Sequence, residues 1–201
     1  MSVHDEPKLT SAMQIPRQRA AETAPVHGAV MTPIAAQAMA FLRIVTGLVF
    51  LWAFFDKTFG WGYSTTSQNA WINGGSPTRN YLSTVNVGPL ASTLRSWAGQ
   101  PWADWLFMIG LLAIGLAVLF GVGLRISAIA GTAMLALMWI AEWPLAKVNE
   151  AGQATHSTNP IIDYHFVYAV VLIVLAAAYA GNTWGLGRRW AELVRDNRWL
   201  L

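Results

Sequence analysis

The chain has 201 residues, 55% of them hydrophobic and only 11% charged, against about 25% charged in ordinary soluble domains. It contains no cysteine, which excludes thiol nucleophiles, disulfide relays, iron–sulfur ligation and thiolate metal sites. The formal charge of +3 comes from basic residues that flank apolar segments, so lipid head groups and not nucleic acid are the expected partner.

Residues 1–33 are polar, carry Pro7, Pro16, Pro25 and Pro33, and show no sustained period. They read as a disordered tail. No apolar stretch precedes Ile34, so this is not a cleaved signal peptide, and the first apolar segment acts as its own targeting signal. Four apolar segments follow, Ile34–Phe55, Leu106–Leu124, Ile126–Trp143 and Tyr164–Ala180. A bilayer core takes about 20 apolar helical residues to cross. The chain is therefore expected to be all-α, an integral membrane four-helix bundle over 34–181, with spans near 34–59, 105–124, 126–143 and 164–180.

Between the first two spans, the Gly60–Pro101 connection is too long for a simple link. Gly74-Gly75 should end a short helix containing Trp71, and Ser76-Pro77 has helix-start chemistry. Pro89–Trp97 places Leu90, Leu94 and Trp97 on one stripe, suited to the membrane surface or to capping the bundle. The second long loop, Pro144–Asp163, holds Glu150, His156 and the turn signal Asn159-Pro160. After Gly181, residues 182–201 read as a basic amphipathic helix with Trp190, Leu193 and Val194 at helical spacing.

Orientation follows from the basic residues. Lys8, Arg17, Arg19, Arg125, Arg188, Arg189, Arg195 and Arg198 fall on one side, and Arg79, Arg95 and Lys147 on the other with Lys57 at the membrane edge. The positive-inside rule then puts both termini in the cytoplasm, the chain crossing the membrane several times. Trp61, Trp97, Trp102, Trp105 and Trp143 would ring the outer interface, and Trp184 and Trp190 the inner one. Small residues at Ser127/Gly131, Ala176/Ala180, Gly110 and Gly115 should let the helices approach closely.

Polar groups at membrane depth are costly and need a reason. Arg43 either snorkels to inner head groups or lines an anionic pocket in the inner half of the bundle. At the outer ends stand Asp56-Lys57, Glu142 and Asp163-Tyr164-His165. One reading is a charge-paired rim, Lys57 with Asp163 or Glu142. The other is a redox or proton-handling site in which His165 exchanges protons, with Lys57 or Arg79 binding an oxyanion or a quinone carbonyl. Asp163 and His165, two apart, diverge on one helix. They form a dyad only if Asp163 lies in the turn before it, as Asn159-Pro160 permits. No two ligand-type residues have a recognised metal spacing, so no metal is assigned. Nucleotide-binding, nucleophile-elbow and paired-histidine haem signatures are missing from the sequence.

Phe41–Tyr63 (FLRIVTGLVFLWAFFDKTFGWGY) resembles the opening helix of the DoxX family of small four-helix membrane proteins. The resemblance continues in Ala70–Thr78, Asn159–Leu172 and Ala180–Trp190, in order and in the actinobacterial manner. It implies kinship with the DoxD-like membrane subunit of thiosulfate:quinone oxidoreductase, which oxidises thiosulfate to tetrathionate and passes electrons to membrane quinone. Asp56, Lys57, Asp163 and His165 sit in the family-like motifs. The catalytic candidates are His165 and Asp163, and the substrate-binding candidates Lys57, Arg79, Asp56 and Glu142. The expected cofactor is a quinone, none being held covalently. The expected partners are lipid, a protein subunit and further copies of the chain. A non-enzymatic scaffold for a redox partner and a small-molecule transporter are the alternatives.

Overall fold

The computed structural model describes residues 31–200 other than His156 and Asp196. Residues 1–30 of the expected tail, with Lys8, Arg17 and Arg19, lie outside the described residues, as does His156. The described chain is helical: α1 (Pro33–Phe59), α2 (Arg79–Ser83), α3 (Ala91–Trp97), α4 (Pro101–Phe120), α5 (Leu124–Glu142), α6 (Tyr164–Ala177) and α7 (Gly187–Val194), with four short 3-10 turns.

Three of these, α1, α4 and α5, are long and apolar enough to cross a membrane. At about 1.5 Å per residue they measure roughly 40, 30 and 28 Å, against a hydrocarbon core of about 30 Å. Helix α6 is equally apolar but has only 14 residues, or about 21 Å. It stops three residues before the expected Ala180. Tyr179 turns left-handed at φ 49°, and a 3-10 turn at Ala180–Asn182 carries the chain across the end of α4, where the Leu186 N–H donates to the Phe120 carbonyl at 2.8 Å.

The helix ends obey local chemistry. Thr32 Oγ1 accepts from Ala35 N–H, and Pro33 takes the first position of α1, where a missing N–H costs nothing. That start takes in Pro33, the last residue assigned to the tail. Left-handed Gly60 and Gly121 close α1 and α4. Pro101 opens α4, so this helix begins and ends about four residues before the segment read from hydropathy.

Helix α1 packs along α4, α5 along α6, and α4 against α5, with lesser contact between α1 and α6. The long connections bring the end of α1, the start of α4, the end of α5 and the start of α6 to one pole, called here the loop pole. The α1–α4 crossing is tight because Gly47 faces backbone: a Cβ there would lie 2.7 Å from Leu119 N and 3.0 Å from Gly115 O. The core runs through Phe50, Met108, Leu111, Ile114, Val118, Leu172 and Leu175. Phe41, Leu106, Ile109, Ile129 and Ile173 stay exposed on the outside, as lipid-facing side chains do. At the loop pole, Val85, Ala91, Leu94 and Ala141 form a smaller cluster that seats α2 and α3 on the end of α5.

Candidate functional site

The loop pole sorts its polar groups into three separate places. Asp56 does not face the other candidates. Its side chain is buried and accepts from Tyr63 N–H at 3.3 Å, Ser64 N–H at 2.9 Å and Ser64 Oγ–H at 2.7 Å. It pins the chain that leaves α1 and is a structural anchor. Asp104, which the sequence reading did not single out, does the same for the second half of the connection. It accepts from Ser76 Oγ at 2.9 Å, Thr78 N–H at 2.9 Å and Thr78 Oγ1 at 2.6 Å. An acid in the first turn of a proline-started helix was the available clue. Ser76 caps α2 from the preceding turn, accepting from Arg79 N–H at 3.2 Å, so α2 starts two residues after Pro77.

Lys57 departs in another direction. It forms no ion pair with Glu142 or Asp163, which corrects the charge-paired rim; among the described residues the ion pairs are Arg95–Glu150, His165–Glu142 and His165–Asp163. Its ammonium lies 5.9 Å from the Phe107 ring centroid, in the wall of an apolar cavity of about 370 Å³ between α4 and α5. Phe107, Gly110, Ile114, Met134 and Met138 line its depth, and Tyr81, Trp97 and Trp102 its end at the loop pole. Leu106 and Leu137 line it too and are exposed, so it opens sideways. Arg79 lines neither cavity at this pole; its guanidinium lies over Gly99. Lys57 and Arg79 therefore do not build one anion site.

Glu142, Asp163 and His165 do converge. Asn159 Oδ1 accepts from Ile161 and Ile162 N–H at 3.0 and 2.9 Å, an Asx turn that leaves Asp163 extended as the cap of α6. Asp163 thus lies off the helix, and the dyad forms: Oδ1 accepts from Phe166 N–H at 3.0 Å while Oδ2 meets His165 Nδ1 at 2.8 Å. Burial pushes the Asp163 carboxyl up, but the hydrogen bonds from His165 and Phe166 outweigh it and hold it below the usual carboxylate range. Glu142, last in α5 and 37% exposed, turns Oε1 to the Tyr164 hydroxyl at 2.8 Å and the Tyr81 hydroxyl at 3.4 Å. Its Oε2 stands 3.9 Å from His165 Nδ1. His165 itself is buried, and its Nε2 has no hydrogen-bond partner.

The two carboxylates border a polar cavity of about 580 Å³ whose walls include Tyr81, Thr84, Asn86, Asn149, Thr155 and Ser157 and, among the described residues, carry no Lys or Arg. Tyr81 belongs to both cavities. Burial pushes its phenol up, and the neighbouring Glu142 charge adds to this, so it stays a protonated donor. Nothing in the sequence marks Tyr81, because its place depends on how α2 lies over α5. The ligand atoms of Glu142, Asp163 and His165 lie within 4.8 Å of one another, a constellation that sequence spacing did not disclose.

Arg43 lies at the other pole, where it neither snorkels nor lines an anionic pocket: among the described residues no acid pairs with it, and the cavity at that pole is lined by neither Arg43 nor a carboxylate. It is fully buried, its guanidinium donating to the Val118 and Trp184 carbonyls at 2.8 Å each and to the Leu119 carbonyl. The cation thus sits on the negative end of α4.

Comparisons with protein-family models, curated proteins and solved structures return no match. The DoxX resemblance rests on the quoted motifs alone.

Proposed function

We propose that this chain is the membrane subunit of a quinone-linked redox system, holding a quinone head group in the lateral cavity between α4 and α5. In this reading it is a multi-pass protein of a bacterial cell membrane with both termini cytoplasmic. Helix α6 completes the fourth crossing, and α7, whose arginines flank Trp190, lies on the inner leaflet. One observation carries the reading: the apolar cavity ends at Tyr81, whose hydroxyl touches Glu142 on the polar side.

The cavity volume falls in the range of small-molecule sites, about 300–1,000 Å³, and its lateral opening suits a ligand delivered by lipid. Lys57 offers an ammonium to a carbonyl oxygen in otherwise apolar walls, where such a contact is strong. When bound, a quinone supplies two-electron, two-proton redox chemistry. Tyr81 stays protonated and holds the Glu142 carboxylate, the proton-accepting group at the end of the cavity, and Tyr164 hydrogen-bonds the same oxygen. The Asp163–His165 pair, across from Glu142 Oε2, offers a further proton-holding group. Electrons must come from a partner subunit. The acid-lined polar cavity disfavours a sulfur oxyanion there, so thiosulfate, if it is the donor, would react on the partner.

The test is quenching of tryptophan fluorescence by a short-tailed ubiquinone analogue in lipid nanodiscs, read through Trp97 and Trp102. Saturable quenching that weakens about tenfold or more in Lys57→Met and in the cavity-filling Ala133→Phe supports the reading. Equal binding by all three proteins, or none by the wild type, overturns it. A non-enzymatic anchor for a redox partner is the second reading. It is favoured by Asp56 and Asp104, which hold the 60–100 connection as a fixed platform, and it predicts a stoichiometric complex that survives Lys57→Met.

A further inference from the structure

We infer that Glu142, Asp163 and His165 form a binding site for one divalent transition-metal cation at the mouth of the polar cavity. Each carboxylate spends one oxygen on a neutral donor and turns the other toward the same imidazole nitrogen. Oε1 of Glu142 is held by the Tyr164 and Tyr81 hydroxyls, which leaves Oε2; Oδ1 of Asp163 is held by the Phe166 N–H, which leaves Oδ2. Two anionic oxygens thus face one nitrogen that has a single lone pair or a single proton to offer. No Lys or Arg ion-pairs with either acid among the described residues. A divalent cation neutralises this arrangement where a single N–H cannot.

The distances suit such an ion. Donors about 2.1 Å from a shared metal stand roughly 3.0–4.2 Å apart. His165 Nδ1 lies 3.9 Å from Glu142 Oε2, inside that range, and 2.8 Å from Asp163 Oδ2, a hydrogen-bond spacing that opens slightly as the metal replaces the shared proton; all the ligand atoms fall within 4.8 Å. Closing the widest gap takes only a small rotation of the partly exposed Glu142 side chain. Hydrogen bonds to the outer carboxylate oxygens are the orienting contacts that metal sites use. One imidazole with two carboxylates favours Zn²⁺, Mn²⁺ or Fe²⁺ over Mg²⁺ or Ca²⁺. The polar cavity leaves the remaining positions to water. The unpartnered Nε2 argues neither way: it lacks a donor when Nδ1 carries the proton and an acceptor when Nδ1 binds a metal.

The site shares Glu142, Asp163 and His165 with the proton-holding groups of the proposed function but uses neither Lys57 nor the apolar cavity, so metal binding is read separately from quinone binding. The test is equilibrium dialysis of the tag-free full chain in nanodiscs against Zn²⁺ or Mn²⁺, with bound metal read by mass spectrometry. The wild type should hold one ion per chain. Glu142→Gln, a near-isosteric change at a partly exposed position, should weaken binding about tenfold or more, as should His165→Asn. Pulsed EPR of the Mn²⁺-loaded protein should show coupling to one nitrogen that His165→Asn abolishes. If the wild type holds no ion at micromolar metal, or if Glu142→Gln keeps the wild-type affinity while showing monodisperse elution, the site does not exist.

Discussion

Replacing Arg43 by methionine should be among the most damaging single changes in the chain. The guanidinium is fully buried and serves the carbonyls of Val118, Leu119 and Trp184. It joins α1 to the end of α4 and to the strap after α6. Methionine fills much of the space but leaves the Leu119 and Trp184 carbonyls without their donor, and Val118 with only the Gly121 N–H at 3.1 Å. An orphaned buried polar group costs about 1–3 kcal/mol, partly offset because a buried cation no longer has to be desolvated. The net loss is roughly 2–5 kcal/mol. At about 2–4 °C per kcal/mol for a chain of this size, thermal unfolding followed by intrinsic fluorescence should fall by roughly 5–20 °C. Arg43→Lys is the discriminating companion. A snorkelling cation would accept lysine without loss, whereas one ammonium cannot reproduce a planar fork across three carbonyls. Arg43→Lys matching the wild type would refute the clamp.

Four further outcomes test the same structure. Asp104→Ala should cost about 2–4 kcal/mol, because the Ser76 and Thr78 donors lose their acceptor; limited proteolysis between residues 60 and 100 should accelerate accordingly. Asp56→Asn should destabilise the protein while leaving quinone affinity unchanged within twofold, since Asp56 holds the chain after α1 and lines neither cavity at the loop pole; a tenfold affinity loss would return it to the site. Gly47→Ala should cost about 1–3 kcal/mol by overpacking the α1–α4 crossing, read as a lower melting temperature, and an unchanged value would mean that the crossing is looser than described. Gly181→Ala should also destabilise the protein, because its Cβ would lie 2.1 Å from the Gly121 carbonyl oxygen, and combined with Arg43→Met it should be less than additive since both loosen the same strap.

The helices were legible because their causes are local. Apolar run length located the long helices, Gly74 the end of the turn containing Trp71, and Asn159-Pro160 the turn that places Asp163 off the helix. Hydropathy misjudged ends where backbone chemistry intervenes. Pro101 starts α4 before its apolar run begins, and the strap beneath Arg43 stops α6 early.

The sequence by itself determined that this chain builds helices long and apolar enough for a membrane, and that a few charged residues sit at their ends. Which of those charges meet was decided only by the tertiary structure. Asp56 and Lys57 are neighbours in sequence, yet a helix sets successive side chains about 100° apart, so one faces the connecting chain and the other the cavity between α4 and α5. Glu142 and His165 lie far apart in sequence and meet because α5 and α6 pack along each other. Tyr81 reaches Glu142 because α2 is seated on the end of α5. Periodicity shows which face a residue occupies, but the partner across that face depends on how helices distant in sequence pack.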